Sequence, residues 1–228
     1  MVKQERAART RRTLIRAAAE VFAREGFAPA SLTTISRQAG VSNGALHFHF
    51  TSKNALAQAV EEEAGEAMRL LIRDVPDRGR SSALQNLVDA THGLMNQLAN
   101  DVVVRAGFEL YGDVVREGSF NLRQQWQQWV EETLKTAEQE DVLADDVSPQ
   151  GAAHAIVAAT VGFEVLGSTD KSWLSKQSIT CFWELMLPRL AAGPALGEVD
   201  SAGSARTVNT DEEPSKDVFL REKTDQPV

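Results

Sequence analysis

The sequence predicts an all-α fold, in which a small N-terminal head of three helices is joined to a larger helical body, with about nine helices in total. Two observations support this prediction. Apolar residues recur at spacings of three and four along most of the chain, as on one face of an α-helix. The alternation of apolar and polar residues that is typical of strands is absent.

A pair of short helices is predicted within residues 31–50. Ser31 can cap the first helix, and Gly40 can end it in a left-handed conformation. Ser42 can then cap a second helix, roughly from Asn43 to Phe50. The apolar faces of the two helices carry Leu32, Ile35, Ala39, Leu46 and Phe50. This order is that of a helix-turn-helix, whose second helix enters the major groove of DNA.

Charge is divided unevenly along the chain. Residues 1–53 contain nine Lys and Arg against three Glu, a net charge of +6, which leaves −14 for the remainder because the whole chain carries −8. A basic head on an acidic body is typical of a protein that docks one end on phosphate.

The predicted DNA contacts lie in this basic head. Short side chains in the first turn of the second helix allow its backbone to approach base edges closely. The predicted contact residues are Arg11, Arg12, Thr33, Ser42, Asn43, Gly44, Ala45, His47, His49 and Lys53. The alternative is that the two short helices form an ordinary helical pair that never binds DNA.

The body is predicted to be helical throughout. Apolar periodicity indicates helices at residues 53–74, 82–100, 101–111 and 119–140, and Ser148 with Pro149 marks the start of another. Two further apolar faces follow, one with Ala152, Ile156, Ala159 and Phe163 and the other with Ile179, Phe182, Met186 and Leu190. We expect these two helices to form a four-helix interface in a homodimer. The alternative is that both faces belong to the core of one chain.

The division of the chain follows from these patterns. Residues 1–52 are predicted to form the DNA-binding domain, residues 53–191 a ligand-binding and dimerisation domain, and residues 192–228 a disordered tail rich in Gly, Pro, Ser and charged residues. Within that tail, Val218, Phe219 and Leu220 form one apolar cluster. Cys181 is the only cysteine and is expected to be a buried structural thiol. We expect a cytoplasmic protein without a membrane span.

Residues 10–56 resemble the TetR family of bacterial repressors. In that family the first helix carries the pattern I-x-x-A-x-x-x-F and ends in Gly, and Ile15, Ala18, Phe22 and Gly26 stand at those places. The resemblance implies a dimer that pairs through its last two helices and binds a palindromic operator.

Two further segments, GALHFHF and VVVRAGFEL, resemble the γ-butyrolactone receptor branch of that family, which controls antibiotic production and morphological change in filamentous actinobacteria. The chain departs from the family at two DNA-contact positions, with His47 in place of the usual Tyr and Asn43 in place of a frequent Lys. We therefore expect weaker or more pH-sensitive DNA binding, although the change at His47 could also be without consequence.

A small-molecule effector would need an apolar cavity with a few polar groups. The resemblance to the γ-butyrolactone receptors implies that Trp126, or Trp129 if the register differs, lines it. Thr160 could donate a hydrogen bond to a ligand carbonyl, or instead bond to its own helix. The predicted walls are Leu87, Phe108, Tyr111 and Phe163. Each of these residues could alternatively be ordinary core.

The sequence does not predict an enzyme. Its four histidines, His47, His49, His92 and His154, are scattered, and no nucleophile–base pair, phosphate loop or metal-ligand spacing is present. No cofactor is expected. The predicted function is a dimeric repressor released from DNA by a small apolar signal such as a γ-butyrolactone, through a shift of the helix that begins near Lys53. The alternative is a related regulator that responds to another small molecule, or to none.

Overall fold

The computed structural model describes residues 2–74, 82–113 and 121–204. Within these ranges the chain forms ten α-helices, nine of them with seven residues or more, and no β-strand, which confirms the all-α prediction. The helices are α1 (Val2–Glu25), α2 (Leu32–Gln38), α3 (Asn43–His49), α4 (Lys53–Asp74), α5 (Ala83–Asn100), α6 (Val102–Asp113), α7 (Leu122–Gln139), α8 (Pro149–Gly167), α9 (Lys176–Leu190) and α10 (Gly193–Leu196).

Side-chain caps fix where several helices begin. The Ser148 hydroxyl accepts from the N–H of Gly151 at 3.3 Å, and Pro149 occupies the first turn of α8, as predicted. The helix predicted at 119–140 begins at Leu122, because the Asn121 side chain accepts from the N–H of Gln124 and caps α7 there. A capped start satisfies backbone N–H groups that have no partner within the helix.

The apolar core of the head is completed by residues from the body. Its apolar cluster contains large side chains from α1, α2, α3 and α4, and α6 adds Val103, Ala106 and Leu110 to the same cluster. A segment of about 50 residues buries a small share of its surface and is only marginally stable alone. The head is therefore stabilised by a helix of the body.

A second apolar cluster fills the body. It contains the inward faces of α5, α7, α8 and α9, with Trp126 and Trp183 as its two largest fully buried side chains. Val104 and Phe108 of α6 also belong to this cluster. Helix α6 therefore contributes one face to each of the two cores.

The chain beyond α9 corrects one prediction. Disorder was expected from Ala192 onward, but residues 192–204 are ordered and pack on α5; we call them the C-terminal hook. The N–H of Asp200 donates to Gln85 at 2.7 Å, and both the N–H and the hydroxyl of Ser204 donate to Asp89 at 2.7 Å. These buried polar groups of α5 order a segment whose own composition is typical of loops. The cluster at 218–220 lies outside the described residues.

The prediction that Cys181 is buried is wrong, because the thiol is exposed on α9. Ile179, Trp183 and Leu187 face the body core, and Cys181 follows Ile179 by two positions, which places it on the opposite side of the helix. Among the described residues no helix is long and apolar enough to cross a membrane.

Candidate functional site

The two short helices of the head have the predicted geometry. Ser31 accepts from the N–H of Thr34 at 3.0 Å, and Ser42 accepts from the N–H of Ala45 at 3.1 Å, so both caps are formed. Between the helices, Gly40 adopts a φ of 67°, a left-handed conformation that favours glycine. The Ser36 hydroxyl donates to the side-chain carbonyl of Asn43, which ties α2 directly to α3.

The outer surface of α3 carries most of the predicted base-contacting residues. Ser42, Asn43, Gly44 and His47 are exposed together with Thr33 of α2, while Ala45 and His49 are half-buried. Sequence reasoning missed Phe48, whose side chain is 81% exposed and contacts the ring of His49 edge-on. The signal was available, because Phe48 lies two residues beyond the buried Leu46 and so falls on the opposite face of the helix.

The predicted phosphate contacts have different surroundings. Arg11 and Arg12 are exposed on α1, and the guanidinium of Arg11 lies 5.3 Å from the ring centre of Phe50, at the end of α3. Burial raises the pKa of the Glu63 carboxyl on α4, and the positive charges of Arg11 and Arg12 partly oppose that rise. The two arginines therefore lie where α1, α3 and α4 meet.

Lys53, a predicted DNA contact, is half-buried and its ammonium group is bound within the head. Its ammonium group donates to the backbone carbonyls of Phe27, Ala28 and Ala30 at 2.8–2.9 Å and lies 4.5 Å from the ring centre of Phe27. These bonds use the donors of the ammonium group to tie the start of α4 to the loop after α1. Lys53 is therefore a structural residue of the head, and its donors are not available to DNA in this arrangement.

The predicted effector residues do not all come together. A cavity between α5, α6, α7 and α8 is lined by Phe108, Trp126 and Thr160, all three of which were predicted. Trp129 instead packs behind Trp126, with ring centres 5.2 Å apart. Leu87 belongs to the body core and Phe163 contacts Phe182. The side chain of Tyr111 lies outside the described residues.

The cavity is small. Its volume is about 10 Å³, room for one water molecule, whereas small-molecule sites typically enclose about 300–1,000 Å³. The indole N–H of Trp126 donates to the Thr160 hydroxyl at 2.9 Å, and that hydroxyl donates in turn to the carbonyl of Val157 at 3.1 Å. Thr160 therefore bonds to its own helix, which was the alternative to a bond with a ligand.

Sequence reasoning missed a charged pair in the same wall. Arg123 of α7 donates from Nε and Nη2 to the two carboxylate oxygens of Glu164 of α8, at 2.8 and 2.9 Å. The side chains are 26% and 8% exposed, respectively. Leu94, Met95, Leu98 and Val161 complete the lining. The signal for the pair was its spacing, because Arg123 precedes Trp126 by one helical turn and Glu164 follows Thr160 by one turn.

A larger cleft of about 300 Å³ lies where the head meets the body. Phe22, Gly26 and Phe27 line it from the head, and Ala106, Glu109 and Leu110 line it from α6.

Several large apolar side chains are exposed on α8, α9 and the 3₁₀ turn Lys171–Leu174 between them. Leu185 is 80% exposed, and Val165, Leu166 and Trp173 are also exposed. Contiguous exposed apolar side chains are typical of protein–protein interfaces. Within the described ranges, His, Cys, Asp and Glu form no group that could hold a metal ion.

Both the head and the body of this chain match families of known proteins. Residues 14–60 match the family described as "Bacterial regulatory proteins, tetR family", and residues 81–191 match the "Tetracyclin repressor-like, C-terminal domain". The A-factor receptor protein of Streptomyces griseus is 30% identical over 216 residues, which cover 90% of this chain and 75% of that relative.

Solved structures extend the likeness to the fold. A γ-butyrolactone receptor, described as an ArpA-like protein, is 30% identical with a TM-score of 0.74, and the match covers 86% of this chain and 96% of that one. CprB of Streptomyces coelicolor, solved in complex with its biological operator sequence, is 30% identical with a TM-score of 0.72, over 85% and 94% of the two chains. The chain therefore belongs to the TetR family of bacterial regulatory proteins, and within that family it is similar to the γ-butyrolactone receptors.

Proposed function

We propose that this protein is a dimeric transcriptional repressor of the bacterial cytoplasm, which binds a palindromic operator through α3 and leaves it when a small molecule enters the cavity between α5, α6, α7 and α8. One observation carries the proposal. Helix α6 places Phe108 in the cavity wall while its neighbours Ala106 and Leu110 belong to the core of the head. A change in the cavity wall therefore acts directly on the packing of the head.

The exposed surface of α3 has the small and polar side chains that contact with the major groove of DNA requires. A Cβ on Gly44 would meet nothing nearer than the Ser42 hydroxyl at 3.9 Å, so packing within the chain does not require a glycine there. Close approach of DNA supplies a reason for it. Asn43 and His47 can donate to phosphate or base edges, and the exposed ring of Phe48 can contact a thymine methyl group.

Dimerisation through α8 and α9 supports operator binding. A two-fold interface would cover Leu185, Val165 and Leu166 and would set two α3 helices on the same side of the dimer. The helices would then meet half-sites one helical turn apart, about 34 Å, or a multiple of it.

An effector that enters this small cavity must displace its walls. A guest must separate α7 from α8 and displace Phe108, and α6 then moves against α1 and α4. The separation of the two α3 helices changes, and they no longer match the half-sites. To reduce operator occupancy from about 99% to 1%, the effector must favour the released state by about 5.5 kcal/mol.

A second candidate is a regulator of the same type that responds to a different small molecule from the γ-butyrolactones, or to none. The volume of about 10 Å³ favours the version without any response, because every effector, whether a lactone or not, must first open the cavity.

The test begins with the operator. Full-length protein is used to select bound fragments from a random DNA pool, and the selected duplex is then titrated with γ-butyrolactones that differ in their alkyl chain. We expect a palindromic site, release by at least one lactone, and loss of release without loss of operator binding in Trp126→Phe. Release that survives in Trp126→Phe would place the effector elsewhere, and a failure to select any site would overturn the repressor assignment.

A further inference from the structure

The cleft where the head meets the body is large enough for a small molecule, and it is separate from the cavity between α5, α6, α7 and α8. Its volume of about 300 Å³ lies at the lower end of the range for small-molecule sites. The end of α1 and one face of α6 line it, together with Ser168, the residue after α8. At about 30 Å³ for each water molecule, the cleft has room for a guest of about ten non-hydrogen atoms.

The charged group in the cleft is a carboxylate. Glu109 of α6 is the one ionisable residue among the described residues that line the cleft, and it is half-buried. An ionised carboxylate offers about four acceptor sites, so it can accept from a guest in addition to its contacts within the chain. The charge of the lining therefore favours a cationic guest over an anionic one.

The end of α1 adds to this preference for a positive charge. Ala23 and Gly26 line the cleft at the point where α1 ends. The last carbonyl groups of a helix have no N–H partner within it, and the helix dipole gives this end a partial negative charge. The segment that follows already binds an ammonium group, because Lys53 donates to the carbonyls of Phe27 and Ala28. Lys53 itself is not among the described residues that line the cleft.

Apolar side chains form much of the remaining lining. The rings of Phe22 and Phe27 lie with their centres 5.6 Å apart, and Leu110 adds an apolar surface from α6. Aromatic rings contact apolar groups and also attract cations to their faces. The lining therefore complements a guest that joins an ammonium group to a compact apolar body.

We propose that this cleft is a second ligand site, which binds a compact amine with its ammonium group on Glu109 and its apolar body against Phe22 and Phe27. The regulatory role of this site rests on the proposed function, in which release from DNA requires α6 to move against α1. A guest that contacts both helices in the present arrangement stabilises that arrangement. The amine therefore acts as a co-repressor, which increases operator affinity and opposes release by the effector.

Three probes of similar size test the site by isothermal titration calorimetry on the full-length protein without DNA. They are 3-phenylpropylamine, 3-phenylpropanol and 3-phenylpropanoate, which share a phenylpropyl skeleton and differ in the charge of the polar group. We expect the amine to bind with a dissociation constant below about 1 mM, and at least about ten-fold more tightly than the alcohol or the acid. Absence of amine binding, or equal binding of all three probes, would rule out the site.

Two variants test whether the amine binds in the cleft. Glu109→Gln removes the negative charge and should weaken amine binding by at least about ten-fold, whereas Glu131→Gln, which changes a half-buried glutamate of α7, should leave it unchanged. Ser168→Trp fills the cleft from an exposed position and should also weaken amine binding. Thr169→Trp is its control, at an exposed neighbour outside the lining. Unchanged amine affinity in both Glu109→Gln and Ser168→Trp would show that the amine binds elsewhere and that the proposal is wrong.

Operator binding tests the regulatory role separately. Saturating 3-phenylpropylamine should tighten binding of the selected operator by at least about five-fold at constant ionic strength, and Glu109→Gln should lose this gain. An amine that binds in the cleft without changing operator affinity would contradict the co-repressor role and leave the ligand site in place. If no operator can be selected, the proposed function fails, but the calorimetric result on the cleft does not depend on it.

Discussion

A Cβ atom added to Gly107 of α6 would lie 2.5 Å from the Cβ of Ala64 on α4, so the two helices approach at a distance that only glycine allows. The next residue, Phe108, lines the proposed effector cavity, and Ala64 lies on the helix that follows α3. A movement of the cavity wall would therefore act through this contact on α4, whose first half packs in the core of the head.

Gly107→Ala should force α4 and α6 apart. Because the Ala64 Cβ is joined to the backbone and cannot rotate away, the helices must shift, and we expect a loss of about 1–3 kcal/mol in the free energy of unfolding, typical of overpacking. We also expect at least about ten-fold weaker operator binding, because a shift of α4 changes the position of the head that packs on it. Urea unfolding and fluorescence anisotropy on a labelled operator measure the two effects.

The matched control is Gly151→Ala, in which the new Cβ would lie 3.7 Å from the Ser148 Cβ, an ordinary contact. It should leave operator affinity unchanged. If Gly107→Ala also binds the operator normally, the contact between α4 and α6 does not transmit position to the head.

Removal of both Arg11 and Arg12 should weaken binding to every duplex, regardless of sequence. Each phosphate that a basic side chain neutralises releases counterions, and it adds about 0.9 to the slope of log affinity against log salt. The double alanine variant should therefore show a shallower salt dependence over the same salt series. Binding is measured on the selected operator and on an unrelated duplex of equal length.

Arg69→Ala serves as the control, because Arg69 is an exposed arginine of α4 that pairs with Glu66. It should leave the salt slope intact. A double variant that folds normally but retains the full slope would remove Arg11 and Arg12 from the set of phosphate-binding residues.

The helix-turn-helix was predictable because its determinants are local. Ser31, Gly40 and Ser42 act within a few residues of themselves, so their roles follow from the sequence alone. The cavity was predictable only in part. Trp126 and Thr160 stand out in apolar stripes of the sequence. The pairing of Arg123 with Glu164 does not, because it depends on how α7 packs against α8, and the two residues are 41 positions apart.

The order of the C-terminal hook was not predicted for a different reason. Its composition favours disorder, and its order comes from Gln85, Asp89 and His92, which lie more than 100 positions earlier in the chain. Their spacing on α5 puts three polar side chains on one buried face, a pattern that requires partners. The sequence contained this signal, but it did not show which segment of the chain supplies the hydrogen-bond partners.

The hook should loosen as the pH falls. His92 of α5 contacts the carbonyl of Ser201 at 2.9 Å. Burial lowers the pKa of His92 below its ordinary value near 6.5, and the charge of Lys176 lowers it further, whereas the bond to Ser201 and the charges of Asp89 and Asp200 oppose this shift. The unfolded chain then binds the proton at a higher pH than the folded chain. The contribution to stability is complete above pH 6.5 and is lost as the pH falls through the pKa of the folded state.

His92→Gln removes the titrating group but keeps a side chain that can donate a hydrogen bond. We expect the original chain to lose free energy of unfolding between about pH 7 and pH 5 relative to this variant, as measured by urea denaturation at each pH. Identical pH dependence of the two proteins would contradict a neutral, buried His92. The protection of the hook amides against hydrogen exchange, relative to the intrinsic rate at each pH, should fall over the same interval in the original chain.

Leu185→Glu should convert the proposed dimer into monomers. Leu185 is 80% exposed in one chain, and the proposed two-fold interface through α8 and α9 would cover it. A carboxylate at this position would have to be desolvated on both sides of the interface, which is costly without a partner. Sedimentation velocity at micromolar concentration should show twice the chain mass of 24.9 kDa for the original protein and the single mass for the variant.

Leu70→Glu is the matched control, since Leu70 is an exposed leucine on α4 and outside the proposed interface. It should remain dimeric, which separates a specific interface from a general effect of added charge. The Leu185→Glu monomer should still bind a single half-site, because the head is intact, but it should lose the high affinity for the full palindrome that comes from two linked contacts. A Leu185→Glu variant that stays dimeric would place the interface elsewhere. A monomer with undiminished affinity for the full site would mean that operator binding does not need the dimer.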